Sequence, residues 1–216
     1  MKTTVQKLVL GDLATNTYIL TDEESGVSAV VDPAIDSDEL FASIENKNVK
    51  YILLTHGHFD HIGGAKALKE KTGAQVVIHS EDAPMLNDGI LSMFKLQYPH
   101  KSTPKVDADI LVEDGSEIPF GNGEITVLHT PGHTRGGVCY IFTDDRILFS
   151  GDTLFKLSAG RTDFKGGNPR EELMSLAKIG ALEGDYIVYP GHSEDTTLQF
   201  ERENNRYMRT RFRNKL

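Results

Sequence analysis

Short apolar, β-branched runs that stop abruptly at glycine-containing turns recur at residues 27–31, 51–55, 75–79, 124–130, 138–143, 146–150 and 185–189. Their length and composition predict strands. Between them, apolar positions at helical spacing predict helices over 37–47, opening at Ser37 or Asp36, over 64–71, ending before Gly73, and over 169–180. The third has the clearest start: Asn168 suits the cap, Pro169 the first helical position, and Glu171 falls where a capping-box carboxylate belongs. A last helix is predicted over 194–210. Residues 87–107 mix Pro, Lys and Tyr with weak periodicity, which predicts a long loop with one short helix, of the kind that covers a site. No internal repeat or low-complexity linker divides the chain. Strands interspersed with helices, with too few regular βαβ steps for a barrel, predict an α/β (α+β) fold. Two packed mixed sheets with helices outside make four layers, αββα.

Composition narrows the function. The chain has 216 residues, 38% hydrophobic and 25% charged, as in an ordinary globular protein. Its 23 Lys+Arg against 32 Asp+Glu give a net charge of −9, which disfavours nucleic acid and favours a small-molecule partner. The first twenty residues lack a sustained apolar stretch and are punctuated by Gly11, Asp12 and Asn16, so neither a secretory signal nor a membrane span is expected and a cytoplasmic location is. The single cysteine, Cys139, excludes an internal disulfide and a thiolate zinc site, and reads as a small core residue.

The chemistry concentrates where strands end. The run from Tyr51 to Leu54 leads into His56, His58, Asp60 and His61 within six residues. Alternate residues of an extended segment point the same way, so His56 and His58 can converge on one ion while Asp60 and His61, past the bend, face another. Three further junctions repeat the construction: Ile125 to His133 through Pro131-Gly132, Ile147 to Asp152 through Gly151, and Tyr186 to His192 through Pro190-Gly191. Core packing alone does not produce four such junctions. Imidazole and carboxylate are ligands that Zn²⁺ accepts.

The ordered motifs HGHFDH, TPGH, GD and PGH resemble those of the metallo-β-lactamase-fold hydrolases over nearly the whole chain. Gly160-Arg161-Thr162-Asp163-Phe164, following Gly151-Asp152-Thr153-Leu154-Phe155, is similar to the short glyoxalase II-like branch and to the persulfide dioxygenases. The resemblance implies that His56, His58 and His133 bind one metal, that Asp60, His61 and His192 bind a second, and that Asp152 bridges them. It implies two Zn²⁺, with Fe or Mn able to take either place, and a hydroxide shared between the ions as nucleophile, which makes Asp60 and Asp152 the carboxylates closest to catalysis. Asp32 resembles the position that supports the metal loop by hydrogen bonding. Arg161 and Asp163 are expected to form a supporting ion pair beside the site rather than to touch substrate. The family's full-length glyoxalase II enzymes add a C-terminal helical domain; here residues 1–216 are expected to form one domain without it.

The leading expectation is therefore a glyoxalase II-like thioester hydrolase acting on a hydroxyacyl-thiol such as hydroxyacylglutathione. The alternative is a mononuclear iron persulfide dioxygenase of the same fold, and a nuclease of the superfamily stands behind both because of the −9 charge. His129 is expected to be structural, and His79 and His100 receive no role. The basic stretch from Arg202 to Lys215 reads as the solvated end of a helix.

Overall fold

The computed structural model describes residues 2–209. The first sheet runs β1 (Thr3–Leu10), β2 (Thr15–Asp22), β3 (Val27–Val31), β4 (Asn48–Leu53), β5 (Gln75–His79) and β6 (Ile110–Val112) in that spatial order. Its first three strands pair antiparallel and the remainder parallel. Helices α1 (Asp38–Ser43), α2 (Phe59–Ile62), α3 (Ala65–Thr72) and α4 (Phe94–Gln97) fall within or between its connections. The second sheet contains β7 (Glu117–Phe120), β8 (Gly123–His129), β9 (Val138–Phe142) and β10 (Ile147–Gly151). After the hairpin β11 (Leu154–Phe155) with β12 (Ser158–Ala159), and α5 (Pro169–Gly180), come β13 (Ile187–Pro190) and β14 (Thr196–Thr197). The order across this sheet is β14-β13-β10-β9-β8-β7, with only β10 and β13 parallel. Helices α6 (Leu198–Asn204) and α7 (Arg206–Arg209) close the described chain.

The apolar runs are nearly continuous because the central strands are buried on both faces. In β3, β4 and β5, Ala29, Val31, Tyr51, Leu53 and Val77 point between the sheets, where they meet Val138, Tyr140, Phe142, Ile147 and Phe149 of the second sheet. Their neighbours Val30, Ile52 and Val76 point outward to Leu40 and Leu68 on α1 and α3. On the far side Cys139, Ile141 and Leu148 pack against Leu176 and Ile179 of α5 and Leu198 of α6. Three apolar layers separate four layers of structure, the αββα sandwich that the pattern predicts.

Several boundaries differ from expectation for local reasons. Ser37 caps α1 through its Oγ, which accepts from Leu40 N–H, but the helix stops at Ser43. Asn168 caps α5 by accepting from Arg170 and Glu171. The reciprocal capping-box bond is not made, since the Asn168 N–H donates to the Gly132 carbonyl at 2.7 Å, which ties the helix to the loop before His133. The single helix expected over 194–210 is instead a short strand and two helices. Buried Asn205 takes an extended backbone and donates its side-chain amide to the Ser158 carbonyl and to Glu201, and this ends α6. Arg202, read as part of a solvated helix end, instead donates to the Gly180, Leu182 and Gly184 carbonyls and caps the C-terminal end of α5. Arg211, Arg213 and Lys215 lie outside the described residues. Strands β1 and β2, absent from the sequence reading, form an antiparallel hairpin across the Gly11–Ala14 turn.

Candidate metal centre

All four strand-end junctions meet at one edge of the sandwich. His56 and His58 follow β4, Asp60 and His61 sit on α2, His133 lies in the turn before β9, Asp152 follows β10, and His192 follows β13. Their side-chain donors form two triads, His56 with His58 and His133, and Asp60 with His61 and His192. Each set of ligand atoms falls within 4.8 Å of one another. Asp152 lies between them: its Oδ1 is 3.5 Å from His61 Nε2, and its Oδ2 is 3.5 Å from His133 Nε2 and 3.6 Å from His192 Nε2. The approach of the last loop explains its glycine. A Cβ on Gly191 would lie 2.2 Å from Asp152 Oδ1 and 2.7 Å from the His61 ring.

Hydrogen bonds from behind fix which ring nitrogen faces inward. His61 Nδ1 lies 2.9 Å from Asp32 Oδ2, and a carboxylate only accepts, so Nδ1 carries the proton. Thr55 gives its hydroxyl proton to the same Asp32 oxygen at 2.6 Å, so its lone pair accepts from His56 Nδ1 at 3.1 Å. The Arg161 carbonyl accepts from His133 Nδ1 at 2.7 Å. In the neutral ring form, the one that can ligate, His56, His61 and His133 therefore each present an unprotonated Nε2. His58 turns its Nδ1 to within 2.9 Å of His133 Nε2.

Buried polar atoms without hydrogen-bond partners include His56 Nε2, His61 Nε2 and Asp152 Oδ1, all on residues of the candidate centre. Such atoms cost free energy unless something satisfies them, and a cation among imidazoles and carboxylates does so. Charge says the same. Burial and the neighbouring histidines hold His56 far below the usual imidazole range, and burial and His133 hold His58 at about 3, so both rings stay neutral and able to ligate. Burial opposes a charged His61, yet Asp60, Asp152 and Asp32 together carry it up to about 10. Buried Asp60 is held below its ordinary range by His61 and His192. The carboxylates thus favour positive charge at the centre, and the residues present fit a pair of divalent ions.

Asp32, Arg161 and Asp163, expected as supporting residues, make the following contacts. Asp32, at φ 47°, also accepts Thr55 N–H at 2.8 Å. Arg161 and Asp163 form a two-pronged ion pair, both contacts 2.7 Å, with the guanidinium 4.0 Å over Phe164. His129 lies outside both triads; it stacks on His79 at 4.0 Å and its Nε2–H donates to the Arg135 carbonyl. Cys139 is buried, its thiol pushed up to about 12 by burial, consistent with a core residue.

Sequence reasoning missed four contributors. Thr15 donates to Asp60 Oδ2 at 3.0 Å, and Asn16 donates to the Pro190 and Ser193 carbonyls on either side of His192. Asp82 is buried and accepts from Gly57 N–H at 3.1 Å and Gly136 N–H at 2.7 Å, joining the two loops that carry the first triad. Glu172 lies buried behind Gly160 and His133, and burial raises its carboxyl to about 8. The Thr-Asn-Thr opening of β2 was the one available signal; Asp82 and Glu172 stand in no motif.

Above the centre a cleft of ≈ 480 Å³ opens between Leu13, Phe155, Phe164 and the segment carrying Met93 and Leu96. That segment belongs to the 87–107 loop, which contains one short helix, α4, and forms a wall of the cleft.

Residues 10–192 match the model of the metallo-beta-lactamase superfamily. The chain is 39% identical over 178 residues to a hydroxyacylglutathione hydrolase of Rhodopseudomonas palustris, covering 81% of this chain and 61% of that protein. It is 30% identical to the hydroxyacylglutathione hydrolase GloC of Haemophilus influenzae, covering 91% and 93% of the two chains. Among solved structures, the BLEG-1 B3 metallo-beta-lactamase superposes with a TM-score of 0.89 at 33% identity, over 95% of this chain and 99% of that one. TTHA1623 in a di-iron-bound form superposes with a TM-score of 0.83 at 31% identity, over 94% and 100%.

Proposed function

The chain belongs to the metallo-beta-lactamase superfamily, and from that premise we propose that it is a binuclear metallohydrolase that cleaves small acyl-thiols. The observation that supports this best is the place of Asp152, whose two oxygens face histidines of both triads. His56, His58 and His133 would hold one ion, Asp60, His61 and His192 the other, with Asp152 shared. The donor set suits zinc and accommodates iron or manganese, and TTHA1623 carries two irons. When bound, the pair would lower the pKa of a shared water toward neutrality and polarise the substrate carbonyl.

The chain's own residues prepare that site. Asp32, Thr55 and the Arg161 carbonyl hold three imidazoles in the ligating tautomer, and Thr15 orients Asp60. The cleft walls shield the reacting carbonyl from bulk water. A thiolate leaves without strong protonation help, so the class of substrate matches a site built around metal ligands. The two hydroxyacylglutathione hydrolases among the relatives support the same class. The net charge of −9 supports a small molecule over a nucleic acid. The single cysteine fits a reducing, cytoplasmic setting, and among the described residues no helix is long and apolar enough to cross a membrane.

The test is metal analysis of the purified protein coupled to an anaerobic assay on a panel of acyl-thiols. Two ions per chain with thioester cleavage are expected, and Asp152→Ala should lose both. One iron per chain with oxygen uptake on a persulfide would replace this reading with a dioxygenase.

A further inference from the structure

The two triads are braced from different parts of the chain. Around the first, Asp82 accepts from Gly57 N–H and Gly136 N–H, and the Arg161 carbonyl accepts from His133 Nδ1. Around the second, the opening of β2 does the bracing. The Thr15 hydroxyl donates to Asp60 Oδ2 at 3.0 Å, and Thr15 forms an antiparallel bridge with His192. Asn16 then grips the His192 loop. Its N–H donates to the Gly191 carbonyl at 2.7 Å, and its side-chain amide donates to the Pro190 carbonyl at 2.9 Å and to the Ser193 carbonyl at 3.0 Å.

That loop needs holding. Ser193 sits at φ 69°, a left-handed conformation that costs a non-glycine residue free energy unless its surroundings impose it. The Pro190 carbonyl also accepts from Tyr18 Oη at 2.7 Å, and the Ser193 carbonyl from Lys7 Nζ at 2.9 Å. Neither carbonyl is therefore stranded when the amide is removed. Among the described residues, however, the buried Asn16 side chain alone bonds to the chain on both sides of His192.

We infer that Asn16 is the positioning residue for the second ion, and that its amide decides whether the centre holds two ions or one. The inference rests on the binuclear reading proposed above. Without the amide, the His192 loop is no longer pinned beside Asp60 and His61, while His56, His58, His133 and Asp152 keep their places for the first ion. Losing a contact that supports a ligand in this way weakens the bound ion by about 10- to 100-fold.

Optical titration of the metal-free protein with Co²⁺ tests this. Wild type should take up two equivalents. In Asn16→Ala one binding step should keep its wild-type affinity, and the other should weaken by about 10- to 100-fold. A merely structural residue would move both steps together, and that result, or two unaltered steps, overturns the inference. Thr15→Val keeps the shape of the strand and removes only the bond to Asp60. It should give the same one-sided loss, and it decides the question if Asn16→Ala fails to fold. Wild-type protein that binds a single equivalent removes the binuclear reading itself, whereas two wild-type equivalents whose steps shift equally in the variants remove only the role of Asn16.

Discussion

His61 Nδ1 lies 2.9 Å from Asp32 Oδ2, and the same oxygen receives the Thr55 hydroxyl at 2.6 Å. Asp32 therefore sets two histidines at once, His61 directly and His56 through Thr55. Asn at this position tolerates the left-handed backbone that Asp32 adopts, so the chain path should persist. Its amide nitrogen, however, cannot accept, and one of the three donors loses its partner. Asp32→Asn should weaken metal binding by about 10- to 100-fold, the range typical for losing such a supporting contact. Competition against a chromophoric chelator measures it, and unchanged affinity would reduce Asp32 to a packing role.

Asp82 makes the second prediction. It accepts from Gly57 N–H and Gly136 N–H, and so joins the loop between His56 and His58 to the loop that follows His133. Removing the carboxylate strands two backbone donors, and Asp82→Ala should cost about 2 kcal/mol or more in stability. Thermal unfolding of the metal-free protein isolates this term from any loss of ligation. A melting temperature equal to wild type would show that the two loops hold their shape without it.

The residues that meet at the candidate centre were legible because each stands just past a strand end, where the apolar run, the glycine and the polar residue are contiguous in sequence. Gly191 shows the physical reason, since any Cβ there would collide with Asp152 and His61. Strand β2 was hidden because it opens on Thr15, Asn16 and Thr17, all buried, whose side chains hydrogen-bond to Asp60, to the carbonyls flanking His192 and to the Asp32 carbonyl. A period-based reading takes such residues for a turn. Asp82 and Glu172 act on backbone or on loops far away in the chain, a relation that no local pattern encodes. The helix expected over 194–210 failed at Asn205 for the same reason, because its partners include Ser158, 47 residues away.

The stacked pair His79 and His129 yields a pH dependence remote from the proposed ligands. Burial, reinforced by His129 and opposed by Glu113, lowers the His79 pKa from its ordinary value near 6.5, so the folded protein protonates this ring at a lower pH than the unfolded chain does. The unfolded chain takes up its proton near pH 6.5 and the folded one only at lower pH, so the contribution is whole above that pH and is lost as pH falls toward the lowered folded value. His79→Gln can still accept from Glu81 N–H, as His79 Nδ1 does at 3.2 Å, but does not titrate. Its melting temperature should approach or exceed that of wild type on going from pH 8 to pH 5. A difference independent of pH would mean that His79 does not titrate differently in the two states.

Chelation should reveal how much of the stability depends on the centre. His56 Nε2, His61 Nε2 and Asp152 Oδ1 are buried and lack partners until a cation satisfies them, and the unfolded chain cannot assemble residues 56, 133 and 192 into one site. An ion present at a thousandfold excess over its dissociation constant then adds about 4 kcal/mol to folding. For a chain of this size that corresponds to a rise in melting temperature of about 10 °C. EDTA should therefore lower the transition by about that amount, and added zinc should restore it. Asp152→Asn, which keeps the volume but removes the shared charge, should recover only part of the shift. If the transition of the wild-type protein ignores both chelator and metal, the orphaned nitrogens must be satisfied by something other than a cation, and the binuclear reading fails.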